Sequence, residues 1–223
     1  MLKRLDIVGN PNLGVFILVT EDVAIVPFNL ADDKINQIKE VLEVDIIKSS
    51  ISGSNLIGSL AIANSKGIIV SPYTFDREIK VLVDYGLNVA KLPDKYSAVG
   101  NIVAVNDVGG IASPFISSES IEVIEDTLDI DVKNSSIIGK DIIGSLITVT
   151  NNGFLIDKNA SPKELEYAKE IFAVEGNVGT VGRGISFVGA CCIANTKGAI
   201  VAENSTGPEM ARIEEALGFL EAF

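Results

Sequence analysis

Apolar residues return along this chain in two alternating periods. Short runs such as Val15–Val19, Val23–Val26 and Ile68–Val70 are alternating or continuous, the pattern of half-buried and buried strands. Between them lie stretches in which apolar residues return every third or fourth position. The first stretch, DDKINQIKEVL, predicts a helix from Asn29 or Ala31–Asp32 with Ile35, Ile38 and Leu42 on one stripe, followed by a strand over Val44–Lys48. The order then repeats. A strand begins just after Gly58, a turn spans Asn64 to Gly67, and a helix from Thr74 ends at Tyr85-Gly86 before a strand over Leu87–Lys91. Further helices are predicted over Ser118–Leu128, from Ser161-Pro162 to Phe172, and from Gly207-Pro208 to Leu217. A strand over Ile130–Lys133 follows the first of these, and the N-terminal Leu2–Val8 also reads as a strand.

Aligning these elements gives a repeat anchored on Gly14, Gly58, Gly100, Gly144 and Gly189, with spacings of 44, 42, 44 and 45 residues. Nine positions after the anchors stand Val23, Gly67, Gly109, Gly153 and Gly198; five before stand Gly9, Gly53, Lys95, Gly139 and Gly184. Recurring glycine marks recurring turns or close backbone approaches. Periods of this size belong to solenoids or closed radial arrays. Four units end on a strand leading to the next anchor; the fifth ends on its helix. The strand Leu2–Val8 occupies the missing place, so the expected fold is α/β: a closed five-fold pseudosymmetric propeller. It is expected as a single domain over residues 1–223, its N-terminal strand completing the last repeat.

Composition narrows the function classes. The 223 residues hold 30 acidic and 18 basic side chains, net charge −12, which argues against broad nonspecific nucleic-acid binding. The start, MLKRLDIVG, lacks an apolar signal core, and no long apolar run follows, so the expected location is cytoplasmic with no membrane partner. There is no histidine, which removes the commonest general base and metal ligand. Cys191 and Cys192 fall in a strand pattern and read as small core residues on opposite faces rather than nucleophiles. The glycine-rich run 176–189 has neither the Walker nor the dinucleotide spacing and reads as a connecting segment. Asp32, Asp33, Asp76, Glu119 and Glu164 fall at predicted helix starts, where the helix dipole favours negative charge. No catalytic, cofactor or metal residues are predicted. What remains is a surface: Val15, Ser59, Asn101, Ser145 and Ala190 follow the anchors, and a radial array gathers these loops at one end.

The opening GNPNLG, the segment SISGSNLIGS, AVGNI at 98–102 and GRG at 182–184 resemble the translation initiation factor 6 family in its archaeal form, over essentially the whole chain. The resemblance implies the pentein fold and a steric activity. The factor would bind the large ribosomal subunit as a monomer, prevent premature joining of the small one, and take part in large-subunit maturation. The implied partner is chiefly the uL14-family ribosomal protein, near the sarcin–ricin loop, and an acidic factor suits a basic partner. Ser59 and Asn101 match family positions at or near this contact, although eukaryotic members carry arginine at the first. The ribosome-contact candidates in the same registers are Asn12, Gly14, Gly58, Ser59, Gly100, Asn101 and Ser145. The Ser/Thr-containing tail of eukaryotic relatives is missing after Phe223, so regulation through it is not expected. Other penteins modify guanidino groups with cysteine, histidine and acidic residues. That alternative lacks its histidine here, and a nonribosomal scaffold is the remaining one.

Overall fold

A computed structural model describes residues 1–7 and 9–220. Val8, within the expected first strand, and the chain end at Phe223 lie outside the described residues. The chain opens with β1 (Leu2–Leu5), α1 (Leu13–Phe16), β2 (Leu18–Val19), β3 (Val23–Pro27), α2 (Asp32–Leu42) and β4 (Asp45–Ser49). The second unit is α3 (Ile57–Leu60), β5 (Ala61–Ala63), β6 (Ile68–Val70), α4 (Asp76–Asp84) and β7 (Val89–Lys91). The third is α5 (Val99–Ile102), β8 (Val103–Val105), β9 (Gly109–Ala112), α6 (Ser118–Leu128) and β10 (Asp131–Asn134). The fourth is α7 (Ile143–Leu146), β11 (Ile147–Val149), β12 (Phe154–Asp157), α8 (Pro162–Phe172) and β13 (Gly176–Gly179). The last is α9 (Val188–Cys191), β14 (Cys192–Ala194), β15 (Ala199–Ala202) and α10 (Gly207–Ala216).

Each unit makes one three-stranded sheet, with an antiparallel inner pair and a parallel outer strand. In four units the outer strand follows the unit's own helix. In the fifth it is β1, paired in parallel with β15 from Leu2 opposite Ala199 to Leu5 opposite Ala202.

The anchor glycines differ from expectation. They do not open strands; each sits in a single helical turn, and the strand starts a few residues later. The reason is close packing. A Cβ on Gly58 would lie 2.0 Å from the Gly14 carbonyl oxygen, and one on Gly100 would lie 1.8 Å from that of Gly58. Gly144 meets Gly100, Gly189 meets Gly144, and Gly14 meets Gly189, so the series returns to its first member. Helical backbones approach this closely only where there is no side chain.

The glycines nine positions on serve a second contact. Gly67, Gly109, Gly153 and Gly198 abut carbonyls near the C-terminal ends of α6, α8, α10 and α2, each helix belonging to the following unit. Val23 holds this place in the first unit. It shares an apolar cluster with Ile79 and Leu82 of α4, and α4 has only nine residues where α2, α6 and α8 have 11, which leaves room for a side chain. Each long helix thus lies between two sheets. The stripe Ile35, Ile38 and Leu42 of α2, for example, shares a buried cluster with Leu5 of β1 and Ile200 of β15.

Two further readings are corrected. Gly176–Gly179, expected to be a connection, is the strand β13 on β12, where the Phe154 ring lies over Gly176 and leaves no space for a Cβ. Cys191 closes the turn α9 and Cys192 opens β14, so the two are not neighbours within one strand.

Candidate functional site

The single-turn helices α1, α3, α5, α7 and α9 gather around a narrow channel of about 130 Å³ that the five anchor glycines help to line. At this end also lie the loops that precede those turns and the strand-to-helix connections. The inner hairpin turns and the C-terminal ends of the long helices lie at the other end.

The glycine-ringed end exposes apolar side chains. The residue capping each single turn is Asn12, Leu56, Ala98, Ile142 or Phe187, and Leu56, Ile142 and Phe187 stand out in solvent. Phe28, Tyr73, Phe75 and Phe115 do the same in the strand-to-helix connections. Three rings carry a cation: the Arg77 guanidinium 5.0 Å from Phe75, Lys95 Nζ 5.2 Å from Tyr96, and Lys140 Nζ 5.1 Å from Phe187. Exposed aromatic rings beside Arg and Lys have the composition of a protein-binding surface.

Carboxylates hold the loops of this face in place. In α10, Thr206 and Glu209 form a capping box. The Glu209 carboxylate also accepts from Thr180 Oγ1 (2.8 Å) and from the N–H groups of Arg183 (3.1 Å) and Gly184 (2.8 Å). These donors point inward because Gly182, Arg183 and Gly184 all have left-handed backbone, which turns successive N–H groups to one side. Burial alone would raise the Glu209 carboxyl; the bonds from Thr206, Gly184, Thr180 and Arg183 outweigh it and bring it down to about 2. Glu78 grips Ser50 Oγ and the Gly53 N–H in the same way, and Glu164 grips the Ile138 N–H. Against the opposing effect of burial, Glu78 is lowered by its bonds from Ser50, Phe75 and Gly53, and Glu164 by those from Ser161 and Ile138. Glu164, expected only to complement a helix dipole, is therefore also a loop fastener.

The structure places the predicted residues unevenly. Gly14, Gly58 and Gly100 form the inner ring. The Asn12 side chain turns inward, where its Oδ1 accepts from Cys191 Sγ at 3.1 Å. Ser59 is only 8% exposed, so its hydroxyl is not presented to a partner. Asn101 and Ser145 are half-buried, and among the described residues neither side chain has a hydrogen-bond partner. All of these lie in or next to helical turns, not in loops as the sequence suggested. The exposed ring of Leu56, Ile142 and Phe187 was missed, although each stands two positions before an anchor.

The opposite end is a polar lattice. The Asn106 amide donates to the carbonyls of Thr150 (3.3 Å) and Phe172 (2.9 Å) in the next unit while its Oδ1 accepts from Val108 and Gly109. Asn64 bridges to Asn106 and Leu128 likewise, and Asn195 bridges to Thr20 and Leu42. Outside these, Ser65 donates to Asp107, Asn151 to Asp107 and Glu21, and Thr196 to Glu21. Glu43, Asp129 and Glu175 add further negative charge here.

Neither cysteine is poised as a nucleophile. Burial pushes the Cys191 thiol up to about 11 and the Cys192 thiol up to about 12, so both stay protonated near neutrality. Among the described residues no cluster of cysteine and carboxylate side chains has the geometry to hold a metal ion. No helix among them is long and apolar enough to cross a membrane.

A protein-family model described as the eIF-6 family matches residues 2–216. The chain belongs to the eIF-6 family. Its relatives include the translation initiation factor 6 of Methanobrevibacter smithii, 65% identical over 221 residues that cover 99% of both chains. That of Pyrococcus abyssi is 39% identical across 98% of this chain and 99% of its own. That of Methanocaldococcus jannaschii is 37% identical across 99% of both. All three organisms are archaea. Among solved structures, DDAH from Pseudomonas aeruginosa complexed with citrulline is similar at 13% identity and a TM-score of 0.47, covering 83% of this chain and 84% of that one.

Proposed function

We propose that this chain binds the large ribosomal subunit through its glycine-ringed end and sterically blocks joining of the small subunit. Family membership supports ribosome binding in general terms. One observation carries the choice of face: Leu56, Ile142 and Phe187 are exposed in register around the inner ring, next to the half-buried Asn101 and Ser145. The contact is chiefly with the uL14-family ribosomal protein near the sarcin–ricin loop, and the same occupancy serves large-subunit maturation. The body that docks is a closed pentein-type propeller acting as one domain and as a monomer. The β1–β15 pairing, the bridge from Asn195 to Thr20 and Leu42, and the returning glycine series support that reading.

The test is Asn101→Arg. Arginine there brings a long, charged side chain against the partner without touching the core. Cosedimentation with isolated large subunits is expected to weaken by about tenfold or more, and subunit joining followed by light scattering is expected to recover. Thermal unfolding stays within about 0.5 kcal/mol of wild type. Unchanged affinity places the docking face elsewhere.

A further inference from the structure

Four units prepare the anchor turn with the same tight loop. Isolated bridges pair Ile7 with Asn10, Ile51 with Ser54, Ile137 with Lys140 and Val181 with Ile185. Each loop carries a left-handed glycine: Gly9, Gly53, Gly139 or Gly184. The third unit breaks the pattern. Its segment 92–98, LPDKYSA, has no such bridge and no left-handed residue among the described residues, and Lys95 stands where the others have glycine. The fastening is also reversed. Here the carboxylate belongs to the loop: Asp94 accepts from the Ser117 N–H at 3.2 Å and from Ser120 Oγ at 3.3 Å, capping α6 from outside.

The broken loop leaves a groove of about 680 Å³ against the neighbouring strand-to-helix connections. Pro72 and Pro93 form part of its lining, with the rings of Tyr96 and Phe115 stacked at 6.1 Å and inclined by 29°. Phe115 is 59% exposed, so the stack serves no core. Asp94 and Glu119 also line the groove, and the ammonium of Lys95 lies over the Tyr96 ring. The departing loop adds the Tyr96 ring to Phe115, whose exposed place Phe28 and Tyr73 hold in the first and second units. A departure from the common loop that stacks a ring outside the core points to function.

We propose that this groove receives an extended, basic segment of a protein partner. A proline or aliphatic side chain packs on the Tyr96–Phe115 stack, and an arginine or lysine reaches Glu119. Aromatic rings framed by prolines suit an extended backbone. Two carboxylates in the groove attract a cation and repel phosphates, so the occupant is protein rather than RNA. The inference rests on the docking reading above and adds a second point of attachment outside the inner ring.

Photocrosslinking of the full chain tests it. Phe115 is replaced by p-benzoylphenylalanine, and in a separate protein Ile142 is replaced in the same way. Each is irradiated with purified archaeal large subunits, and adducts are identified by nuclease digestion and mass spectrometry. The expected result at 115 is a nuclease-resistant adduct to a Lys- or Arg-rich extended protein segment. An adduct to rRNA alone overturns the proposal, as does the lack of any adduct at 115 in a protein that cosediments and crosslinks through 142. A wild-type chain that does not cosediment at all overturns the docking reading, and this one with it. As a second measure, Glu119→Lys is expected to bind large subunits about tenfold more weakly at about 0.1 M salt while the chain stays folded, with only a small drop in the unfolding midpoint from the reversed charge at the start of α6. Affinity within about twofold of wild type overturns the proposal.

Discussion

The two ends of this molecule solve the same problem with a different share of backbone and side chain. Both must join five similar units. At the glycine-ringed end the backbones touch directly, carbonyl to glycine at all five anchors, with little added by side-chain bonds such as that from Cys191 to Asn12. At the turn end Gly67, Gly109, Gly153 and Gly198 also abut carbonyls of the next unit, and there Asn64, Asn106 and Asn195 add amide bonds across the joint. The difference decides what each end can present. Side chains released from structural work at the first end are free to face a partner, and Leu56, Ile142 and Phe187 do so. Many polar side chains at the second end are already engaged with one another. A docking surface therefore fits the end where the backbone does most of the joining.

The sharpest way to break this comparison is to add a side chain to the inner ring. Gly100→Val places a Cβ 1.8 Å from the Gly58 oxygen and 2.7 Å from that of Ala61, and neither is the tip of a flexible side chain. The chain is expected to lose about 3 kcal/mol or more in urea unfolding. A loss under about 1 kcal/mol would mean that the backbones are not in register at this crossing. At the other end, Asn106→Ala removes two donated and two accepted bonds from a residue 5% exposed. The expected cost is about 2–3 kcal/mol, since the carbonyls of Thr150 and Phe172 lose a donor in a buried place. Asn106→Asp keeps the acceptor and lacks the donor, so it separates the bond to the next unit from the local turn.

These joints also mark how much was legible in the sequence. The repeat, its five anchors and the strand that completes the last sheet could be read from spacing alone, because close approach demands glycine at a fixed register. The glycines five positions earlier were legible from their register too, there because the turn needs left-handed backbone. The helical turns at the anchors were not. Four residues such as IGSL fit a strand start as well as a turn, and only packing between units decides. The exposed apolar caps were hidden likewise, since Leu56 and Ile142 look like core residues until their neighbours are known. The second grip of Glu78, Glu164 and Glu209 was invisible because the loops they hold lie about 25 residues upstream. Their capping boxes at Ser161–Glu164 and Thr206–Glu209 were visible, but only as helix starts.

Those fasteners give a smaller, pH-dependent effect. Glu209 has its carboxyl lowered from an ordinary value of 4.5 to about 2. Its contribution to stability is thus fully present above pH 4.5 and is lost as the pH falls toward 2. Glu209→Gln is expected to lower stability by about 1 kcal/mol at neutral pH, with the difference from wild type shrinking through that acid window. Docking should weaken as well, because Arg183 and Gly184 lie in the loop that Glu209 holds. A variant whose deficit persists unchanged at pH 2.5 would show that the carboxylate charge is not what fastens the loop.

The smallest effect belongs to the turn end's charge. Asp22 is exposed in the first hairpin turn, and its side chain makes no hydrogen bond among the described residues. Asp22→Lys changes the net charge from −12 to −10 without removing a contact. If the overall negative charge drew the chain to a basic partner, this change would weaken binding, most strongly at low salt. If the glycine-ringed end docks, residue 22 stays remote from the partner, and its field is screened beyond about 8 Å at physiological ionic strength. Large-subunit affinity is then expected to stay within about twofold and stability within about 0.5 kcal/mol. A fall of tenfold in cosedimentation at about 0.15 M salt would make the acidic end part of the docking surface and erase the division of labour between the two ends.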